Sequence, residues 1–547
     1  MGGFSTIDFV VFTAYCLFIV GIGLWVSRDK KGHTKDSQDY FLASRSLPWW
    51  AVGASLIASN ISAEQFIGMS GSGYALGLAI STYEWMAAAT LLVVGKFFLP
   101  IYLKKGIYTM PQFLADRYND TVRTLMAIFW LLVYVFVNLT SVIYLGALSI
   151  ETVLGVDLIY AVIGLALFSL LYSIYGGLTA VAWTDVVQVV FLVLGGLVTT
   201  YLALDIVGQG DVLGGLARLG KEAPDHFHMI LQEGFMITDG KGGTEDAYNM
   251  LPGISVLIGG MWITNLSYWG FNQYITQRAL AAKSLDEAQK GVVFAGFLKL
   301  LIPLIVVIPG IAAYVIVQNE ELGGAFSQIM TDPTDGFIKP DRAYPTLLGL
   351  LPNGMKGVAF AALTAAIVSS LASMANSTAT IFTMDIYRNY INKGASESSL
   401  VRIGRIVVVV SFVVACLVAP ALRGQGQVFQ YIQEYTGYVS PGVFAIFVFG
   451  VFWKKTTPLA ALIAALITIP LSAGLAEFFP DLPFLDRMGV VFLILAAQMI
   501  ITSLVQSGRD QPNSIDLSPA LFKTSRAFNV GALVIVGILV ALYAAYW

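Results

Sequence analysis

Residues 54–73, ASLIASNISAEQFIGMSGSG, constrain what this chain can fold into more than any other stretch. They lie inside a hydrophobic segment, yet Asn60, Ser62, Glu64, Gln65 and Ser70 fall within a dozen positions, interleaved with and followed by Gly68, Gly71 and Gly73. In hydrocarbon an unpaired backbone group is costly, so irregular backbone persists only where protein or a water-filled cavity surrounds it. The pattern reads as a helix broken part-way across a membrane, which is where secondary transporters hold substrate and coupling ion. A kinked helix whose polar atoms are satisfied by its neighbours is the plainer alternative.

Composition supplies the membrane. Charged residues are 12% of the 547, and mean hydropathy is +0.75. A soluble domain carries about 25% charge, so the chain is an all-α integral membrane protein. The formal net charge of −3 is spread over loops of both signs and resembles no nucleic-acid-binding surface. Cys16 and Cys416 sit in apolar runs and read as small buried hydrophobes, not as a disulfide or metal pair. The N-terminus MGGFSTID lacks a basic region, and no small-residue cleavage site follows, so the first apolar run is expected to be retained as a span.

About 20 apolar residues cross the hydrocarbon as helix. That criterion gives about fourteen spans, near 6–27, 48–73, 78–103, 122–152, 157–176, 179–206, 252–276, 286–317, 355–387, 401–421, 426–453, 457–478, 486–507 and 526–547. Lys and Arg then orient them. Twenty-one fall in one set of loops and eight in the other, and Lys96 and Lys299 inside spans make up the 31. Rich and poor loops alternate, so both termini are expected outside. Two outer loops are long, 207–251 and 318–354. The first carries His226 and His228, expected in a solvated loop, and a turn around Asp239, Gly240, Gly242 and Gly243.

An ionisable residue at the bilayer centre costs about 2.5–3.5 kcal/mol on insertion scales, so each calls for an explanation. Glu64 and Gln65 lie in the second span, Glu84 in the third, Asp185 in the sixth, Asn265 with Tyr268 and Trp269 in the seventh, Lys299 in the eighth, and Gln433 with Glu434 in the eleventh. These groups can pair with one another, Lys299 with Glu84 for example. Amide, carboxylate and ammonium groups beside Tyr83, Trp85, Tyr268, Trp269 and Phe429 also suit a neutral, hydroxyl-rich ligand, because each hydroxyl both donates and accepts. The ninth span, with Ser369, Ser370, Ser373, Ser377 and Thr378, permits either close helix packing or, with unwound carbonyls from the second span, an all-oxygen site for Na⁺ without a full negative charge. Composition leaves these two open. The spans hold no histidine and no evident nucleophile–base pair, which argues against an enzyme.

The segments GGLTAVAWTDVVQ, WGFNQYITQRALAAKSLDEAQKG, AAIVSSLASMANSTATIFTMDIY, ASNISAEQFIGMSGSGYALGLAISTYEW and FQYIQEYTGYVSPG resemble the hallmarks of the sodium/solute symporter family, over nearly the whole chain. The resemblance implies a LeuT-type five-plus-five inverted repeat with extra flanking helices. The expected division is a first span and inner loop (1–47), a first repeat (48–206), an outer loop (207–251), a second repeat (252–453) and three further helices (454–547). It implies Na⁺-driven uptake of a neutral galactose- or glucose-like monosaccharide by alternating access across a bacterial inner membrane. A different small solute, such as an amino acid or vitamin, is the alternative. Carried over by motif, the Na⁺ ligands fall on the carbonyls of Ala58, Ile61 and Ala366 and the hydroxyls of Ser369 and Ser370. The sugar ligands fall on Gln65, Glu84, Asn265, Lys299 and Gln433. Tyr268 with Asn60 would form the inner gate, and Met69, Tyr83 and Phe429 the outer lid. The chain departs from the pattern at Ala87, where a sugar-contacting serine is expected, and span seven shows no glycine-rich break like that of span two. Asp185 resembles a residue tied to ion coupling in relatives with a second sodium site. Oligomeric state is not legible.

Overall fold

The apolar segments become helices that bury their small and aromatic faces against one another. The computed structural model describes residues 4–26, 45–239, 242–319 and 323–547, so the basic residues Arg28, Lys30, Lys31 and Lys35 lie outside the described residues. Among these, nine helices are long and apolar enough to cross a membrane, and the bent pair Val428–Gly437 and Ser440–Phe452, meeting at 48°, makes a tenth. Helix falls on all the expected segments, but the count by length and composition is nine or ten where fourteen were expected. Two reasons are visible among the described residues. The first span is α1 (Thr6–Val26), but the second and seventh are each broken into pieces too short to cross alone, Trp49–Asn60 and Gly260–Phe271 among them. The fifth and sixth also run on without a loop as one 51-residue helix, Leu158–Gly208.

The expected break is present. Helix α2 (Trp49–Asn60) stops at Ile61, whose φ of −82° and ψ of 106° are extended, and the chain resumes through a π-helical turn, Glu64–Met69, into α3 (Ser70–Leu76). A capping box explains why it breaks there. The Ser62 hydroxyl accepts from the Glu64 amide (3.2 Å), and the Gln65 side-chain oxygen accepts from the Ser62 amide (3.0 Å). Both amides would otherwise bond the carbonyls of Asn60 and Ala58 in a continuous helix, so the box leaves those carbonyls without their helical donors. The third span follows as α4 (Thr82–Val93), then α5 (Thr140–Leu154) and α6, the long helix Leu158–Gly208.

The long loop 207–251 folds as a short helix and a hairpin in which β1 (Met236–Thr238) pairs antiparallel with β2 (Thr244–Asp246). Gly240 of the expected turn lies outside the described residues. His226 is not in solvent, as the polar loop suggested. It is buried, with Nε2 3.1 Å from the Tyr74 carbonyl and its ring stacked on Tyr314 at 4.0 Å. Gly77, at φ +70°, makes room for it at the end of α3: any Cβ there would sit 2.3 Å from the His226 carbonyl.

The seventh span is also broken, though not at a glycine. Helix α7 (Gly260–Phe271) ends at Asn272, which is extended (φ −82°, ψ 127°) and caps the next helix, α8 (Gln273–Leu280), from its side chain. Helix α9 (Leu285–Val317) then crosses α3 at very close range: a Cβ on Gly310 would lie 2.1 Å from the Ser70 carbonyl, and one on Gly73 would lie 2.9 Å from the Val307 carbonyl. Helix α10 (Met355–Ile381) is buried along most of its length, and α11 (Val428–Gly437) closes the ring of elements around the two breaks. Two residues counted among the inner-loop charges, Arg117 and Arg278, are in fact fully buried. Arg117 caps a helix end by donating to the carbonyls of Gly450 (2.7 Å) and Trp453 (3.2 Å).

Candidate solute and cation sites

Asn60 and Asn272, at the ends of the two broken helices, line one cavity. Gln65, Glu84, Asn265, Lys299 and Gln433 all line it, so residues from five separate spans converge as their chemistry suggested. Ala87 lines it too. Lys299 donates to the Glu84 carboxylate and to the Asn60 side-chain oxygen, and its ammonium sits 4.9 Å over the Trp269 ring. The pairing foreseen between Lys299 and Glu84 therefore exists, and it stands inside the cavity wall. The Asn265 amide nitrogen and the Tyr83 hydroxyl are buried with no partner. Such groups are costly to leave unmade, and here they border a space where a polar ligand would satisfy them.

Tyr268 closes one side. Its hydroxyl accepts from the Asn60 amide at 2.9 Å and from the Tyr274 hydroxyl, so it links the two broken spans. On another side the rings of Tyr83 and Phe429 meet edge to face, 5.2 Å apart and at 88°, and both line the cavity. Met69, grouped with them in sequence, is fully buried in the π-helical turn and does not border the cavity. Several polar lining groups were not singled out from sequence as ligands, among them Glu64, Asn138, Ser267 and Asn272. Glu64 was visible as an ionisable residue in a span. The neutral three carried no signal, because an Asn or Ser in a helix is ordinary until its neighbours are known.

The second site lies where α2 ends against α10. The Ser370 hydroxyl lies 3.3 Å from the Ala58 carbonyl and 3.2 Å from the Ser59 carbonyl. Ser369 donates to Asp185 on α6, whose other carboxylate oxygen takes the Ser55 hydroxyl at 2.5 Å. Because its hydrogen goes to Asp185, the Ser369 oxygen keeps its lone pairs for a cation. Ala58, Ile61 and Ala366 are all fully buried. The oxygen-rich pairing of spans two and nine is present, but it is not free of full charge, since Asp185 supplies a carboxylate at its edge. Behind it, Arg278 donates to Ser373, which lies 3.4 Å from the Ser59 hydroxyl. Among the described residues no group of three His, Cys, Asp or Glu side chains could hold a metal ion. The oxygens gathered here are hydroxyls and carbonyls, with the Asp185 carboxylate beside them.

This geometry has relatives. Residues 40–468 match the model of the sodium:solute symporter family. The chain is 55% identical over its full length to a sodium/glucose cotransporter of Vibrio parahaemolyticus, covering 99% of that protein. The chain belongs to the sodium:solute symporter family. It is 35% identical to the human sodium/myo-inositol cotransporter 2 over 82% of this chain and 66% of that protein. Among solved structures, a Na⁺-coupled sialic acid symporter matches over 92% of this chain and 98% of its own, with a TM-score of 0.76 at 20% identity. A nucleobase-cation-symport-1 family transporter matches over 90% and 97% with a TM-score of 0.51. These place the symporter in the LeuT-type fold. It is a multi-pass membrane transporter whose family couples a solute to Na⁺.

Proposed function

We propose that this symporter carries a neutral hexose of the glucose or galactose type into the cell with Na⁺. The observation that carries the reading is the convergence of Gln65, Glu84, Asn265, Lys299 and Gln433 on one aromatic-sided cavity between two broken helices. The cavity offers donors and acceptors in a balanced set and no surplus cation, since Lys299 is matched by Glu84. That suits hydroxyls and disfavours an anion. The names of the relatives, for glucose and myo-inositol, fit the same chemistry. Ala87 offers no hydroxyl where a serine is expected, a difference worth about 0.5–1.5 kcal/mol for one hydrogen bond, so it is the position at which sugar preference would be set.

In this reading the carbonyls of Ala58, Ile61 and Ala366 and the hydroxyls of Ser369 and Ser370 hold Na⁺, with Asp185 drawing it in. Tyr268 and Asn60 gate the inner exit, and Tyr83 and Phe429 form the outer lid, with Met69 behind them as packing. The two repeats are 48–206 and 252–453, flanked by 1–47 and 454–547. The protein sits in a bacterial inner membrane with both termini outside. The test is uptake of labelled galactose and glucose into liposomes holding the purified protein, with Na⁺ outside and K⁺ inside, then reversed. Accumulation only under the inward Na⁺ gradient, blocked by unlabelled hexose, is expected; equal uptake in both directions would mean a uniporter. In the same vesicles Ser370→Ala should raise the half-saturating Na⁺ concentration several-fold while moving that for sugar less.

A further inference from the structure

Asp341, on the hairpin between the eighth and ninth spans, touches two separate parts of the molecule and has no role in the reading above. It lies in a short 3₁₀ turn, Pro340–Arg342, and is 2% exposed. One carboxylate oxygen accepts the backbone amide of Val428 at 2.9 Å, the first residue of α11 and the neighbour of lid residue Phe429. The other is buried with no partner. It presses on Gly71 of α3, where a Cβ would lie 2.6 Å from that oxygen and 2.8 Å from the Asp341 amide. The Ser72 hydroxyl also lies 3.1 Å from the Gln427 side-chain oxygen, and a Cβ on Gly68 would lie 3.0 Å from that of Phe429. The hairpin is anchored on its far side, where Arg342 and Arg423 both reach Glu151 of α5 at 3.0 Å and Asp332 at 3.6 and 3.7 Å.

We propose that Asp341 is the positioning residue of the outer lid: its carboxyl latches the start of α11 against α3 when the outer side is closed, and lets go when that side opens. The inference rests on the transport reading and on the orientation that puts residues 318–354 outside. An anchored hairpin with one unsatisfied buried oxygen suits a contact that is made and broken in each cycle. A permanent strut would have both oxygens paired. Burial pushes the seated Asp341 carboxyl up to about 7, against the Val428 amide and Lys339, which hold it down. The charged and titratable groups around it are Lys339, itself paired with Asp335 at 2.7 Å, and Arg342 on its own hairpin, with Tyr144 and Glu151 on α5 and Arg423 beyond the tenth span. In open water the carboxyl would titrate near its ordinary value of about 4. Closing therefore takes up a proton between those limits. The closed lid is favoured at low outside pH, loses ground as pH rises toward 7, and levels off above it.

Three readouts test this. In Na⁺-driven uptake, Asp341→Ala should lower the maximal rate about tenfold, the scale of one buried hydrogen bond, and also lower the half-saturating outside Na⁺, because more carriers wait open. A loss of folded protein would lower the rate alone, and that result would overturn the latch. Asp341→Asn keeps an acceptor for Val428 and should retain most of the rate, while abolishing the decline of wild-type uptake as outside pH is raised from 5 to 8. An Asn variant as impaired as Ala, or one with the wild-type pH profile, would also overturn it. Gly71→Ala leaves Asp341 in place but blocks its seat, and should copy the Ala phenotype. Hydrogen–deuterium exchange of the Val428 amide, measured without sugar, should be slow in wild type and Asp341→Asn and fast in Asp341→Ala. This last arm stands even if the sugar assignment fails, which wild-type uptake in the same vesicles decides.

Discussion

The Lys299 ammonium is fully buried and bonded to both Glu84 and Asn60, with the Trp269 ring beneath it. Breaking a buried pair by removing one partner leaves an uncompensated charge and costs about 3–5 kcal/mol, whereas neutralising both is far milder. Lys299→Met should therefore lower the melting temperature in detergent more than the double change Lys299→Met with Glu84→Gln, while both abolish sugar binding. Equal melting temperatures would mean that Lys299 and Glu84 do not stabilise each other as an ion pair. Glu84 and Lys299 were legible because a charge in an apolar run stands out against its neighbours. Asn272 and Arg278 were not. The first looked like one more polar residue in WGFNQY, and the second like one more basic residue at an inner loop, until the fold buried it against Ser373.

Among the elements, the break in the second span could be read because glycine, serine and amides crowd into it, and Ser62 with Gln65 writes out a capping box. The seventh span hides its break behind a single Asn whose side chain caps the next helix, a signal that many unbroken helices also carry at their starts. The approach of α9 to α3 was invisible too, since a glycine in an apolar run says nothing about which backbone it meets. That approach is tight enough to test. Gly310→Ala would drive a Cβ into the Ser70 carbonyl and the Tyr74 amide, an overpacking of about 1–3 kcal/mol. It should lower the melting temperature by a few degrees and slow uptake; an unchanged value would mean that α3 already moves freely.

At the scale of the whole molecule, alternation of basic loops fixed the expected topology without any contact information, and the described residues bear helices on all the expected segments. The count was less secure, because the second and seventh spans are broken into short helices and the fifth and sixth run together. Orientation can be checked directly: Trp547→Cys, at an exposed terminus, should react with a membrane-impermeant maleimide in intact cells, and Arg509→Cys only after permeabilisation. The reverse pattern would invert the transporter. A last consequence follows from the capping box. The Gln65 oxygen is committed to the Ser62 amide, which leaves its nitrogen as the donor Gln65 can offer to the cavity it lines. On the proposed reading, a hydroxyl that grips this nitrogen would steady the same amide plane that frees the Ala58 carbonyl from its helical donor. Sugar and ion would then meet at a single planar group, and a linkage of about 1–3 kcal/mol would travel no further than seven residues of chain.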